Sequence, residues 1–225
     1  VLAKKHRIGV MVDGTFSWLD DGSWEISLGY KPLTMVGQLV YKSTALALSI
    51  VMEDVVYNEA PVFVRQVDVY NHAEAVRDVH LFFGQEFLIS ENRQRNTGFY
   101  DPTHATVVHY KGQRVFVVDG RTQDGRGIDD YTIGLFEFDG KEGSFRDAED
   151  GALSKNAVEH GAVDSVVRFT LRCESKVKSQ LFYWICAGKN LDDAFATNTL
   201  VLSKQPENMI HSTEQFWSAW ITQHP

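Results

Sequence analysis

The chain has 225 residues, of which 44% are hydrophobic and 23% are charged, a balance typical of a globular protein that buries a core. Its formal net charge of −8 argues against nucleic acids and anionic membrane surfaces as partners, because both attract basic faces. No apolar run in the sequence reaches the roughly 18 residues that a membrane-spanning helix needs.

The chain begins VLAKKHRIGV, without an initiator methionine or a signal peptide. We expect this chain to be a piece of a longer polypeptide.

Short strand-like runs fill the first three quarters of the sequence. The Asp13-Gly14 and Asp21-Gly22 pairs between them tolerate the positive φ of tight hairpin turns. Residues 167–173 alternate strictly between apolar and polar side chains, as in an antiparallel strand with one buried face. About a dozen such runs exceed what one open sheet carries comfortably, so we predict a mainly β protein with two packed antiparallel sheets.

The two cysteines fall in consecutive runs, VVRFTLRC and SQLFYWIC, which predict a hairpin centred near Val177 and Lys178. In that hairpin Cys173 and Cys186 would lie about four residues out of register, roughly 13 Å apart at the rise of a strand. A disulfide needs Cα atoms within about 7 Å. We therefore predict two free thiols, which are consistent with a cytoplasmic protein.

The stretch Asp119–Tyr131 (DGRTQDGRGIDDY) is rich in glycine and aspartate and predicts a long exposed hairpin loop. Calcium binding there is a weaker alternative. His104 and His109 lie five positions apart and point to opposite faces of a strand, so they do not chelate one metal together. The sequence predicts no metal site and no cofactor.

The stretch SFRDAEDGALSKN (144–156) carries three carboxylates, Asp147, Glu149 and Asp150, beside Arg146. Neighbours in one loop do not place two carboxylates on opposite sides of a sugar, as glycosidases require. The spacing also differs from that of a calcium loop. We favour a turn in which the carboxylates accept backbone N–H groups or pair with Arg146, and a binding role stays open.

The hydrophobic period changes to that of helices after Gly188. One helix is predicted around 191–202. A second is predicted from PENMIHSTEQFWSAWI, with a capping box at Ser212 and Gln215. Its apolar stripe is formed by Phe216, Trp217, Trp220 and Ile221. Such a stripe either packs against the chain's own sheet or meets another module.

The order of several segments resembles a known family. The segments are RIGVMVDGTFSWLDDGSWEISLGY, YDPTHATVVHYKGQRVFVVDG, GIDDYTIG, FRDAEDGALSKNAVEHGAVDSVVRF, YWICAGKNLDDA and PENMIHSTEQFWSAWI. Together they resemble the N-terminal β-sandwich of bacterial and archaeal enzymes of glycoside hydrolase family 15, the glucoamylase, glucodextranase and trehalase-like proteins. The resemblance covers essentially the whole chain in order, although a glycine-rich strand that usually precedes the RIGV-like strand is missing.

The resemblance implies a two-sheet supersandwich of the galactose-mutarotase type over residues 1–189, and linker helices over residues 190–225 that lead to an (α/α)6 catalytic barrel. Both catalytic glutamates of the family belong to that barrel, so no residue of this chain inherits a catalytic role. The implied function is non-catalytic support of the folding, stability and active-site shape of an α-glucan or trehalose hydrolase.

The residues that we expect to contact the barrel or its substrate mouth are Arg146, Asp147, Glu149, Asp150, Trp217 and Trp220. The exposed stripe also leaves a homodimer open. One alternative is a carbohydrate-binding module in which Trp18, Trp24, Phe99 and Tyr100 stack on an oligosaccharide, although core positions are favoured for these rings. Another is an aldose-epimerase-like enzyme that uses His80 and Glu86.

Overall fold

The computed structural model describes residues 6–89 and 94–223. Within these ranges the chain forms fourteen strands, one 3₁₀ helix and two α-helices. The strands are β1 Ile8–Val12, β2 Thr15–Trp18, β3 Glu25–Tyr30, β4 Gly37–Ser43, β5 Leu48–Val56, β6 Val62–Asn71, β7 Arg77–Gln85, β8 Asn96–Asp101, β9 Thr106–Lys111, β10 Arg114–Thr122, β11 Asp130–Leu135, β12 Val158–Gly161, β13 Val163–Cys173 and β14 Lys178–Gly188. The helices are the 3₁₀ helix Ser144–Asp150, α1 Leu191–Lys204 and α2 Pro206–Gln223.

The strands build two antiparallel sheets, which confirms the predicted mainly β, two-sheet architecture. One sheet has five strands in the order β11-β13-β7-β1-β2, and the other has nine in the order β12-β8-β9-β10-β14-β6-β5-β4-β3. Alternate side chains of both sheets point into the space between them and form the main core. The rings of Phe83 and Tyr183, one from each sheet, stack at its centre with centroids 4.5 Å apart.

The predicted hairpin between Cys173 and Cys186 is wrong, because β13 and β14 lie in different sheets. β13 pairs with β7 and β11, whereas β14 pairs with β6 and β10. The alternation of a strand specifies which face is buried but not which strand lies beside it. The prediction of free thiols is nevertheless confirmed, since Cys173 and Cys186 are both unbridged and buried.

The outer face of the nine-stranded sheet is covered by α1 and the first half of α2, which create a second apolar core with it. The side chain of Asn190 caps α1 by accepting a hydrogen bond from Asp193 N at 2.8 Å. The capping box predicted at Ser212 is wrong, because α2 already begins at Pro206, a residue that suits the first turn of a helix. Ser212 Oγ instead donates to Met209 O within the helix.

The hairpin loop predicted at Asp119–Tyr131 is shorter than expected and is not a hairpin. Strand β10 continues to Thr122, and the connection then crosses to β11 in the other sheet. Asp119 is fully buried and belongs to the strand. Its carboxylate accepts hydrogen bonds from Gly120 N at 2.7 Å and from Asn198 Nδ2 at 3.3 Å, and it pairs with Arg121.

None of the helices in the described ranges combines the length and the apolar composition that crossing a membrane requires.

Candidate functional site

The carboxylate-rich stretch forms the 3₁₀ helix Ser144–Asp150, which lies on the outer face of the five-stranded sheet. Ala148 and Leu153 pack there against Trp18, Phe82 and Val166 in a small apolar cluster. The segment is thus a second layer on the sheet.

The helix ends at Gly151, whose φ of 90° favours glycine. A Cβ atom at this position would lie 2.2 Å from Met11 Sδ. The backbone conformation therefore favours glycine here, and a larger residue would also have to displace the end of the Met11 side chain of β1.

A buried carboxylate fixes the start of the segment. Asp164, in β13, accepts hydrogen bonds from Ser144 N at 2.6 Å and from Ser144 Oγ at 2.7 Å. Burial raises the pKa of Asp164, although the bonds from Ser144 act in the opposite direction. Asp164 thus ties the start of the segment to β13.

The charged residues of the segment make the contacts of the predicted turn. Asp147 Oδ2 accepts a hydrogen bond from Ser154 N at 2.8 Å, and Asp150 Oδ1 accepts one from Ala152 N at 3.0 Å. Asp147 and Asp150 therefore stabilise the turn itself.

Arg146 and Glu149 point outward. Arg146 Nη1 lies 3.1 Å from Glu149 Oε1, and the two side chains are 56% and 38% exposed. Arg146 also pairs with Glu142, and the indole of Trp18 donates to Glu149 Oε1 at 3.3 Å. Because they are exposed, Arg146 and Glu149 are the members of this cluster best placed to meet a partner.

A groove of about 430 Å³ runs beside the segment. Its polar lining residues are Thr132, Lys141, Glu142, Ser144, Arg146, Asp147, Ser154, Asn156 and Glu159. Charges of both signs and several hydroxyl and amide groups face it, while no aromatic ring lines it. Such a surface suits hydrogen bonding to a polar partner.

The aromatic stripe of α2 divides between two environments. Met209, Ile210 and Thr213 are buried against the nine-stranded sheet, so the first half of the helix folds back on the chain itself. Phe216 and Trp220 are 45% and 51% exposed. The aromatic end of α2 therefore projects from the domain.

The structure does not bring the two groups of predicted site residues together. Arg146, Asp147, Glu149 and Asp150 lie over the five-stranded sheet, whereas Trp217 and Trp220 belong to the helix over the nine-stranded sheet. These are opposite outer faces of the sandwich, so one partner would have to wrap around the domain to contact both.

The aromatics considered for sugar stacking belong mainly to the core, as favoured from the sequence. Trp18 and Trp24 are buried, and Phe99 and Tyr100 are half-buried. Tyr100 stacks on Tyr131 with centroids 3.8 Å apart. None of the four offers a fully open flat face to a pyranose ring.

His80 and Glu86 do not converge. His80 Nδ1 lies 2.8 Å from Thr170 Oγ1, and Glu86 lies 3.8 Å from Arg7 Nε. Six residues of extended chain separate them by roughly 20 Å. In the ranges that the structure describes, no three or more His, Cys, Asp or Glu side chains cluster as a metal site would require.

A buried polar chain links the two sheets, and the sequence contains no signal for it. His109 Nε2 lies 2.7 Å from Ser165 Oγ, which donates to Gln85 Oε1 at 2.7 Å, and Gln85 Nε2 donates to Tyr183 at 3.1 Å. Burial lowers the pKa of His109 to about 3, so the ring is neutral at physiological pH. His109 and Ser165 are both buried, so this serine–histidine pair is structural.

No protein-family model matches the chain, and a sequence search of curated proteins gives no match either. Solved structures do match. A bacterial glucoamylase in complex with acarbose superimposes with a TM-score of 0.74 at 11% sequence identity, over 96% of this chain and 31% of that chain. A human-microbiome protein assigned as a kojibiose phosphorylase superimposes with a TM-score of 0.57 at 8% identity, over 95% of this chain and 28% of that chain. At these identities the likeness shows a shared fold, and the chain spans less than a third of either structure.

Proposed function

We propose that this chain is a non-catalytic β-sandwich domain of a larger carbohydrate-active enzyme, related to glycoside hydrolase family 15. In this proposal residues 1–189 form a supersandwich of the galactose-mutarotase type, and residues 190–225 link it to an (α/α)6 catalytic barrel. The domain supports the folding, stability and active-site shape of the barrel, which hydrolyses an α-glucan or trehalose. The general acid and base belong to the barrel.

One observation carries this proposal: 96% of the chain superimposes on only 31% of a bacterial glucoamylase chain, with a TM-score of 0.74. This relation supports the proposal that the chain is one domain of a multidomain protein. The family assignment rests in addition on the order of the sequence segments that resemble glycoside hydrolase family 15.

The charged surface over the five-stranded sheet is the proposed contact with the barrel. Interfaces between domains of one chain are more polar than obligate subunit interfaces. Arg146 and Glu149 are exposed and pair with each other, so they can exchange partners with a facing module. Asp147 and Asp150 hold the turn that presents them. Trp217 and Trp220, on the opposite outer face, would contact the chain that follows α2.

The two other functions have less support. A carbohydrate-binding module would need open aromatic faces, and Trp18 and Trp24 are buried. An aldose epimerase would need His80 and Glu86 to converge, and the extended strand keeps them apart. Titration with maltooligosaccharides tests the first function, and an assay of anomer interconversion tests the second. We expect no signal in either.

The proposed location is the cytoplasm. The two cysteines are free and buried, and reduced thiols are typical of that compartment.

The reading frame beyond Pro225 gives the first test. Several hundred further codons with a helical pattern, encoding a protein that hydrolyses α-glucan or trehalose, would support the proposal. A stop codon at or near Pro225 would overturn it.

The proposed contact surface is tested separately in the enzyme that contains this domain. We expect Arg146→Ala and Glu149→Ala to lower the Tm or raise the KM. The control is Arg126→Ala, which removes a similarly exposed ion pair with Asp124 at 2.8 Å. If kcat, KM and Tm are unchanged in both test variants, the assigned surface is wrong, while the domain assignment is untouched.

A further inference from the structure

Strand β3 ends the nine-stranded sheet, and all six of its residues are exposed. Ile26, Leu28 and Tyr30 are 45%, 69% and 67% exposed. Their partners in β4 place them on the face that turns toward the core, because Ile26 lies opposite Tyr41 and Leu28 opposite Leu39, and both of these partners pack against the main core. The apolar inner face of the sheet thus continues to an uncovered edge.

The open edge of β3 also presents backbone hydrogen-bonding groups. Lys31 N donates to Val36 O at 2.9 Å, so Lys31 points its backbone groups toward β4. In an antiparallel pair this direction alternates along the strand. The N–H and C=O groups of Ile26, Leu28 and Tyr30 therefore point away from β4. The same three residues carry the exposed apolar side chains and the outward backbone groups.

The exposed apolar side chains and the outward backbone groups make the edge of β3 complementary to the same edge of another copy of the chain. We propose that β3 pairs antiparallel with β3 of a second copy of this chain, about a two-fold axis at Leu28, so that the two nine-stranded sheets become continuous. Leu28 then lies opposite Leu28 of the second copy, and Ile26 lies opposite its Tyr30. All three apolar residues of each strand gain an apolar cross-strand partner.

The apolar row of β3 sets this register. Lys31, which lies opposite Glu25 of the second copy, already pairs with Glu53 and Glu214 of its own chain at 3.2 and 3.3 Å, so the charges at the strand ends do not select it. A shift by one residue would place the apolar row of one copy beside the polar face of the other. An axis at Ser27 would leave Tyr30 opposite Trp24, a buried residue that precedes the strand. With the axis at Leu28, every residue from Ile26 to Tyr30 lies opposite a residue of β3 in the second copy.

Protein edges are usually protected against such pairing by charges, prolines or bulges. β12, at the opposite end of the same sheet, carries Glu159 and His160 on its four residues. β3 carries no charge or proline after Glu25. Of the two edges of the nine-stranded sheet, β3 is therefore the one open to pairing. The inference does not rest on the proposed function, because the charged segment over the five-stranded sheet plays no part in it.

Cysteine cross-linking tests the register. Leu28→Cys would bring two thiols together across the two-fold axis, at a Cα separation of about 5.5 Å, which a disulfide bridges. The native Cys173 and Cys186 are buried, so the new thiol is the accessible one. Ser27→Cys is the matched control on the opposite face of the same strand. We expect Leu28→Cys to form a covalent dimer at least ten times faster than Ser27→Cys.

Sedimentation velocity over a concentration series tests the dimer itself. We expect a monomer–dimer equilibrium, and we expect Leu28→Lys to weaken it at least tenfold without changing the circular dichroism spectrum, because Leu28 is exposed. A wild-type chain that stays monomeric at all concentrations overturns the proposal. So does a dimer that Leu28→Lys leaves intact, or an equal rate of cross-linking in the two cysteine variants.

Discussion

The carboxylate of Asp164 accepts hydrogen bonds from both the backbone N–H and the hydroxyl of Ser144, at 2.6 and 2.7 Å. Both residues are buried, so water does not replace either bond. This contact ties the 3₁₀ helix and its exposed charges to β13. The position of the proposed contact surface therefore depends on a pair that is itself hidden from solvent.

Ser144→Ala should destabilise the domain by about 1.5–3 kcal/mol, because it removes one hydrogen bond to a buried charged group. Urea unfolding followed by tryptophan fluorescence measures the change. Ser203→Ala is the control, since Ser203 is exposed and bonds only within α1, and it should shift stability by less than about 0.5 kcal/mol. Equal effects of the two changes would contradict the anchoring role of Ser144.

The free energy of unfolding should depend on pH through the titration of Asp164. Burial raises its pKa, so the folded state binds the proton more tightly than the unfolded state does. The stability contributed by the protonated form is complete below the ordinary pKa of an aspartate and is lost as the pH rises through the raised value. Asp164→Asn does not titrate. The free energy of unfolding of the wild type, relative to that of Asp164→Asn, should therefore fall as the pH rises above about 4.

Urea unfolding of both proteins at several pH values between 4 and 7 measures this difference. A difference that stays constant, or that grows with pH, would show that the pKa of Asp164 is not raised in the folded state.

Asn198 connects α1 to the nine-stranded sheet through two buried groups. Trp184 Nε1 donates to Asn198 Oδ1 at 2.6 Å, and Asn198 Nδ2 donates to Asp119 Oδ2 at 3.3 Å. Asn198→Ala removes the hydrogen bonds to Trp184 and Asp119, and we expect the free energy of unfolding to fall by about 3 kcal/mol. Asn208→Ala, which removes only an exposed bond within the helical region, is the control for urea unfolding. A loss below about 1 kcal/mol for Asn198→Ala would contradict the connecting role.

Gly188 lets α1 approach the end of β14. A Cβ atom at this position would lie 2.5 Å from Ala194 N and 2.8 Å from Ala194 Cα, and backbone atoms cannot move aside separately. Gly188→Ala should displace the helix and cost about 1–3 kcal/mol. At Gly37 the nearest atom, Asp54 Cβ, would lie 3.6 Å from the new Cβ. Gly37→Ala is therefore the control. Thermal unfolding should show a lower Tm for Gly188→Ala and an unchanged Tm for Gly37→Ala. An unchanged Tm for Gly188→Ala would refute the close contact.

The two thiols should be unreactive in the folded protein. Cys173 and Cys186 are buried, and burial raises the pKa of both, which further suppresses the reactive thiolate. Labelling with a thiol reagent during a urea titration should begin only with unfolding and should then reach both residues. Labelling of either cysteine in the native baseline would mean that the core opens locally.

The sequence alone determined the class of the fold, because the signals for it are local. Strict alternation, as in residues 167–173, predicts strands with one buried face wherever the chain meets a core. The change of period after Gly188 predicted the helical region for the same reason. The free state of the two cysteines was also predicted correctly, although through a hairpin that does not exist.

Only the tertiary structure decided which strands are neighbours and which side chains contact each other. Alternation did not reveal that β13 and β14 belong to different sheets, that Asp119 is buried, or that His109 meets Ser165 across the core. It also did not reveal that the carboxylate cluster and the tryptophans of α2 lie on opposite faces. A sequence pattern specifies the periodicity and the polarity of one segment, but the partner of each side chain depends on contacts between residues far apart in the chain, and only the assembled fold contains them.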